Sequence, residues 1–166
     1  MGLIIEQAHS SDAAAIAALQ TRVADALTRL HGVGHWSAVV SAQSVARAMD
    51  TSMVIVGRED GVVAGTLRLV TKKPWAIDAA YFTPVRRPLY LLSMAVEPAR
   101  QRSGLGRQLL ESAAAAARRW PAESIRLDAY DNAAGAGPFY AKCGYREVGH
   151  ATYRGVPLLY YEQLLT

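Results

Sequence analysis

Apolar positions along the chain repeat with two periods, and the switches between them mark the elements. Gly2–His9 is rich in Leu and Ile and predicts a first strand. Ile16, Leu19, Val23, Leu27 and Leu30 then recur at helical spacing. Ser10, Ser11 and Asp12 precede them as cap residues, and Gly32 and Gly34 break the pattern. Ser41–Met49 predicts a second, shorter helix. "SMVIVGRE" and "GVVAGTLRLV" are β-rich runs joined at Glu59–Gly61, where Asp-Gly signals a hairpin. "TKKPWAIDAAYFTPVRRP" has no clean period and reads as a loop with at most one turn. Leu89–Val96 is almost continuously apolar, the pattern of a strand buried on both faces. A glycine-containing turn follows it, then an Ala-rich helix to about Trp120. Ser124–Tyr130 predicts another strand, Asn132–Gly144 a short helix, and the remainder two strands around a turn near Arg154 and Gly155.

That order defines a mixed α/β domain, with the Leu89–Tyr130 unit parallel and crossed over in the right-handed sense. The 166 residues fit one domain, 1–166, without repeat or linker. At 51% hydrophobic and 19% charged the composition is that of a globular protein. The single Cys143 excludes an internal disulfide and a multi-Cys zinc site. Neither a signal peptide nor an 18-residue apolar span is legible, so a cytoplasmic protein is expected, with no membrane partner.

The net charge of +4 permits a polyanion partner. However, seven of the eighteen Lys and Arg lie between Arg86 and Arg119, around the glycine turn. No basic helix with interleaved aromatics accompanies them, so nucleic acid is not expected. A local anion site fits better. A helix start exposes about four backbone N–H groups, and Gly104 and Gly106 would let a phosphate approach them. Arg102 and Arg107 add charge. The phosphate loop GxxxxGK[ST] is absent. Asp128 stands where a dinucleotide fingerprint wants its ribose acid, but the third glycine position is Leu109, and "EPARQRS" separates strand from glycine.

"LLSMAVEPARQRSGLGRQLL" resembles the acyl-coenzyme A signature of the GCN5-related N-acetyltransferase (GNAT) superfamily, with Gln101-Arg102-Ser103-Gly104-Leu105-Gly106 on its Gln/Arg-x-x-Gly-x-Gly/Ala motif. "DNAAGAGPFYAKCGYREVG" resembles the family's Asn…Phe-Tyr-x-Lys-x-Gly-Phe segment, with Tyr145 in place of the last Phe. The resemblance is close from Leu89 to Gly149. It implies a mixed, mostly antiparallel sheet whose two central parallel strands splay apart, flanked by helices. It implies acetyl-CoA as cofactor, with pantetheine along Met94, Ala95 and Val96 and pyrophosphate on the amides of Arg102–Arg107. It assigns Tyr140 as general acid to the departing thiolate and the Val96 amide as oxyanion donor. Asn132 is open between binding the cofactor and capping the last helix.

The general base is not assigned by the resemblance. Relatives carry Glu or His where this chain has Leu92 and Tyr90, and neither is a base at neutral pH. Glu97, Asp128 and Asp78 are the carboxylates to weigh. His35 and Trp36 are candidates to line an acceptor pocket, and Trp75, Tyr81 and Phe82 to form its apolar wall or simply to pack. Tyr90 and Asp128 complete the acceptor candidates. Cys143 is not read as a nucleophile. No metal is implied. The expected activity is transfer of acetyl from acetyl-CoA to a primary amine of a small molecule or protein by direct attack. A different acyl donor such as succinyl-CoA, or a non-catalytic acyl-CoA sensor, are the alternatives. A homodimer is open.

Overall fold

The computed structural model describes residues 2–165. Its elements are β1 (Leu3–Gln7), α1 (Ala13–His31), α2 (Ala42–Met49), β2 (Met53–Glu59), β3 (Val62–Val70), β4 (Pro88–Val96), α3 (Leu105–Arg119), β5 (Ser124–Tyr130), α4 (Gly137–Lys142), β6 (Arg146–Tyr153) and β7 (Val156–Leu164). The seven strands form a mixed sheet in the order β1-β2-β3-β4-β5-β7-β6. The pairing is antiparallel except between β4 and β5, where Pro88–Tyr90 runs parallel to Ser124–Arg126.

The chain divides into two compact units. One comprises the residues up to Leu69 together with Leu92–Ala113, and the other Val70–Leu91 with the residues from Ala114 onward.

In the first unit the β2–β3 hairpin turns at Asp60 and Gly61, with φ of 51° and 82°, the left-handed pair that a tight hairpin demands. Its core packs Ile16, Leu19 and Val45 from the two helices with Val54, Val56, Val63 and Ala95 from the strands. Leu30, expected on the buried stripe of α1, is 77% exposed. The stripe therefore ends a turn before the helix does, and Gly32 at φ 81° terminates it. Ser41 caps α2 by accepting from the Ser44 N–H at 3.1 Å. The capping expectation for α1 is corrected. Asp12 turns its carboxylate back to the His9 N–H and forward to Arg58, whose Nη1 and Nη2 lie 2.9 and 2.6 Å from it. A buried charged fork outcompetes a backbone donor for those oxygens. The guanidinium beside Asp12 holds its carboxyl below the usual range.

In the second unit β7 pairs with both β5 and β6. Composition explains the order. β7 buries Leu158, Tyr160, Tyr161 and Glu162, so it needs neighbours on both sides, whereas β6 is polar and half exposed and suits an edge. Those four residues of β7 are therefore core. The expected helix over 132–144 shortens to Gly137–Lys142. A Cβ at Gly135 would lie 1.8 Å from the Tyr130 carbonyl oxygen, so the chain there is a tight turn that no helix can occupy. Asn132 accepts from the Ala134 N–H at 2.9 Å, which makes it part of that turn and not the cap of α4.

Among the described residues no helix is long and apolar enough to cross a membrane.

Candidate active site

In the first unit the candidate site is backbone. β4 leaves ideal strand geometry at Ser93, which is exposed and has φ 57°. After Val96 the chain makes a single tight turn over Pro98–Arg100 and enters α3 at Leu105. Within that passage Arg102 and Gly104 both adopt positive φ, 65° and 91°. Alternation of hand over Arg102–Gly104 is the backbone pattern of an anion nest, although the Ser103 N–H is itself engaged, donating to the Arg100 carbonyl at 3.3 Å. Gln101, Arg102, Ser103, Gly104 and Arg107 are exposed, and the position a Cβ would take on Gly104 has nothing within 4 Å. The N–H groups of Leu105 and Gly106 belong to the first turn of α3, where a helix offers its own amides no acceptor. The residues present therefore fit a pyrophosphate.

Four contacts hold this turn. The Glu97 N–H donates to the Ala64 carbonyl at 2.8 Å. Its carboxylate pairs with Arg22 of α1 at 2.7 Å. Arg100 pairs with Glu59 of β2 at 3.2 Å. Gln101 Nε2 donates to the Val96 carbonyl at 3.3 Å. Of the three arginines in the motif, Arg100 thus belongs to the scaffold, while Arg102 and Arg107 flank the nest.

The height of α3 over the sheet has a separate cause. Gly57 and Gly65 are direct cross-strand partners. A Cβ at Gly57 would lie 2.8 Å from Leu105, and one at Gly65 2.7 Å from Leu109. The paired glycines form a trough that receives the first two turns of the helix. Gly inside a strand signals such a close approach, so this feature was available to sequence reading.

The second unit carries the side chains weighed for proton transfer. Tyr140 on α4 is buried against the rings of Phe139, Tyr145 and Tyr161, with centroids 5.4, 5.8 and 6.2 Å away. Burial, then the charge of Asp128, raise its phenol well above the usual tyrosine value, so it stays protonated. Asp128 lies midway along β5, opposite Tyr160 of β7. It is half-buried, and desolvation raises its carboxyl above the ordinary range. Its charge in turn raises Tyr130 and Tyr140. The other two carboxylates weighed as bases are engaged: Glu97 by Arg22, and Asp78 by the Ala80 N–H at 3.0 Å.

The acceptor candidates divide between the two units. Tyr90 is 3% exposed, and its hydroxyl accepts from Arg126 Nη1 at 3.1 Å. Phe82 is buried with Arg126 against its ring face at 5.1 Å. Trp75 is 82% exposed on its loop. His35 and Trp36 form one turn of helix, where Trp36 Nε1 donates to the Gly32 carbonyl at 2.9 Å and its ring meets His31 edge-on. Tyr81 stacks edge-on against Tyr160. Sequence reading missed the Arg22–Glu97 and Arg100–Glu59 pairs, because nothing local tells which of several acids an arginine will meet.

Comparisons with known proteins bear on the family and on the fold. A family model described as the acetyltransferase (GNAT) family matches residues 22–145, and the chain belongs to that family. Among solved structures, the N-acetyltransferase from Staphylococcus aureus Mu50 superposes with a TM-score of 0.75 at 20% identity, covering 100% of both chains. The yncA structure from Salmonella typhimurium, described with its cofactor acetyl-CoA, superposes at 0.73 with 22% identity over 100% of this chain and 95% of that one. Ribosomal-protein-alanine N-acetyltransferase from Brucella melitensis gives 0.73 at 21% identity, over 98% and 99%. These likenesses establish a shared fold. No curated protein matches the chain.

Proposed function

We propose that the chain is an acetyl-CoA-dependent N-acetyltransferase that acts on a primary amine by direct attack. The observation that carries this reading is the nest at Arg102–Arg107, where two left-handed residues and a helix start present backbone donors beneath open space. Those amides, flanked by the Arg102 and Arg107 side chains, hold the pyrophosphate, while Met94, Ala95 and Val96 face the pantetheine. Acetyl-CoA supplies an acyl group activated as a thioester.

Three jobs fall to the chain. Asp128 accepts the proton that an ammonium must lose before it can attack, a task for which a carboxylate raised toward neutrality is suited. The Val96 amide donates to the carbonyl oxygen as charge builds on it. Tyr140 donates a hydrogen bond to the departing sulfur. A thiol titrates near 8.5, below even an ordinary phenol, so this contact stabilises the thiolate more than it delivers a full proton.

The test is the thermal midpoint with acetyl-CoA, CoA and NADH. The expected result is a concentration-dependent rise with the first two alone. Gly104→Glu places a carboxylate in the nest and abolishes that rise. Thiol release across a panel of amines then separates an enzyme from a non-catalytic acyl-CoA sensor. No shift at millimolar acetyl-CoA removes the reading.

A further inference from the structure

Arg68 is the one charged residue of β3. It is half-buried, and loss of hydration lowers its pKa from the usual guanidinium value. The other arginines held around this strand are matched by acids: Arg58 by Asp12 and Glu6, Arg22 by Glu97, Arg100 by Glu59. Arg68 has no carboxylate partner among the described residues. Its recorded side-chain contact is a hydrogen bond from Nε to Ser93 Oγ at 3.3 Å. That contact lies at an exposed position, within reach of solvent.

Ser93 is the residue at which β4 kinks, exposed and with φ 57°. A serine there is uncommon and is held by its surroundings. From α1, Gln20 Nε2 approaches the Ser93 carbonyl at 3.5 Å. Three elements of one compact unit thus bring a guanidinium fork, a hydroxyl and an amide to one exposed point. Ser93 precedes Val96 by three residues, at most about 10 Å along a strand. One arginine side chain and a small amino acid together span that distance. A desolvated arginine with a free fork has the shape and charge to take a carboxylate through two parallel N–H···O bonds.

We infer that Arg68, with Ser93 and Gln20, binds the carboxylate of the acceptor, so that the amine acetylated belongs to a free amino acid or dipeptide and not to a simple alkyl amine. This rests on the acetyl-transfer reading and names its substrate class. The ligand is an anion at one end and an amine at the other.

The experiment compares L-amino acids and dipeptides with their C-terminal amides, in thiol release from acetyl-CoA, using the wild type, Arg68→Gln and Arg68→Lys. The wild type is expected to have a lower KM for acids than for the matching amides. A charge-assisted contact of this kind contributes ~1.5–3 kcal/mol, so Arg68→Gln raises the KM for acids about tenfold or more and leaves that for amides unchanged. Arg68→Lys restores part of the preference, since it keeps the charge and loses the fork. The kcat and the thermal shift with acetyl-CoA stay as in the wild type. Equal use of acids and amides by a wild type that binds acetyl-CoA overturns this inference alone. So does an acid-to-amide ratio that Arg68→Gln leaves unmoved, or a loss of the acetyl-CoA shift in that variant, which marks the residue as structural. A wild type blind to acetyl-CoA overturns the acetyl-transfer reading, and this inference with it.

Discussion

Glu162 and Asp128 lie on adjacent strands of one unit, and their surroundings drive them in opposite directions. Glu162 is only 1% exposed, in the middle of the apolar β7. Burial alone pushes its carboxyl up, but donors outweigh it: the Thr83 hydroxyl and N–H, the latter at 2.8 Å, and Arg146 at 2.9 Å. The net pKa is lowered. Asp128 is more accessible to solvent, yet its pKa is raised, because desolvation acts on it unopposed. Burial by itself is therefore a poor guide to a carboxylate's state. The supply of donors decides, and a supplied carboxylate is architecture while an unsupplied one is free to work.

The largest effect expected from this contrast is on rate. Asp128→Asn lowers kcat/KM by roughly 10²–10⁴, the usual worth of a general base. It also removes the rise of kcat/KM with pH that Asp128 imposes as it ionises above the normal carboxylate range. Its stability effect has the opposite sign. A carboxyl with a raised folded pKa costs stability as pH climbs through that value, so the Asn variant is as stable as the wild type at low pH and gains on it at neutral pH. A neutral-pH melt and a pH–rate profile check both. A variant with full activity returns Asp128 to the architecture.

Glu162→Ala is expected to do the reverse. It strands the Thr83 N–H and hydroxyl and costs about 3 kcal/mol, read as a lower midpoint in denaturant, with kcat per folded molecule unchanged. Glu162→Gln separates charge from shape. Because the folded pKa is lowered, the native carboxylate stabilises above the unfolded value, and that stabilisation fades as pH falls through the folded one. The Gln variant shows a shallower acid limb.

Two smaller effects sharpen the same distinction between scaffold and chemistry. Gly65→Ala drives a methyl group against Leu109 and costs about 1–3 kcal/mol by overpacking. Because it lifts α3 from its trough, it also weakens the acetyl-CoA thermal shift, whereas Glu162→Ala leaves that shift intact. Tyr140→Phe lowers kcat by about tenfold and changes CoA affinity little, since the contact belongs to the transition state. Equal losses in both would place Tyr140 among the packing residues of α4.

Much of this is legible in the amino-acid sequence, and it is the local part. Asp60-Gly61 encodes its own hairpin, since its left-handed pair needs no distant partner. The stretch from Val96 to Gly106 carries a strand end, a turn and a helix start in consecutive residues, and the resemblance to acetyltransferases rests on it together with the segment from Asp131 to Gly149. Gly135 is an instructive failure. The helical pattern over 132–144 was sound, but a carbonyl five residues earlier occupies the space a helix would need.

Chain order left the long-range choices open. That β7 and not β6 neighbours β5, that Gly57 faces Gly65 and makes a trough for α3, and that Asp12 turns to Arg58 instead of capping its helix are all pairings across large sequence separations. The same holds for the charges. Asp128 and Glu162 are both plain acids in the sequence, and each acquires its protonation behaviour from donors that other segments bring or withhold. Local geometry and periodicity are properties of neighbouring residues and can be read from them. Solvation and partnership are properties of a site, and the site exists only once the chain has folded around it.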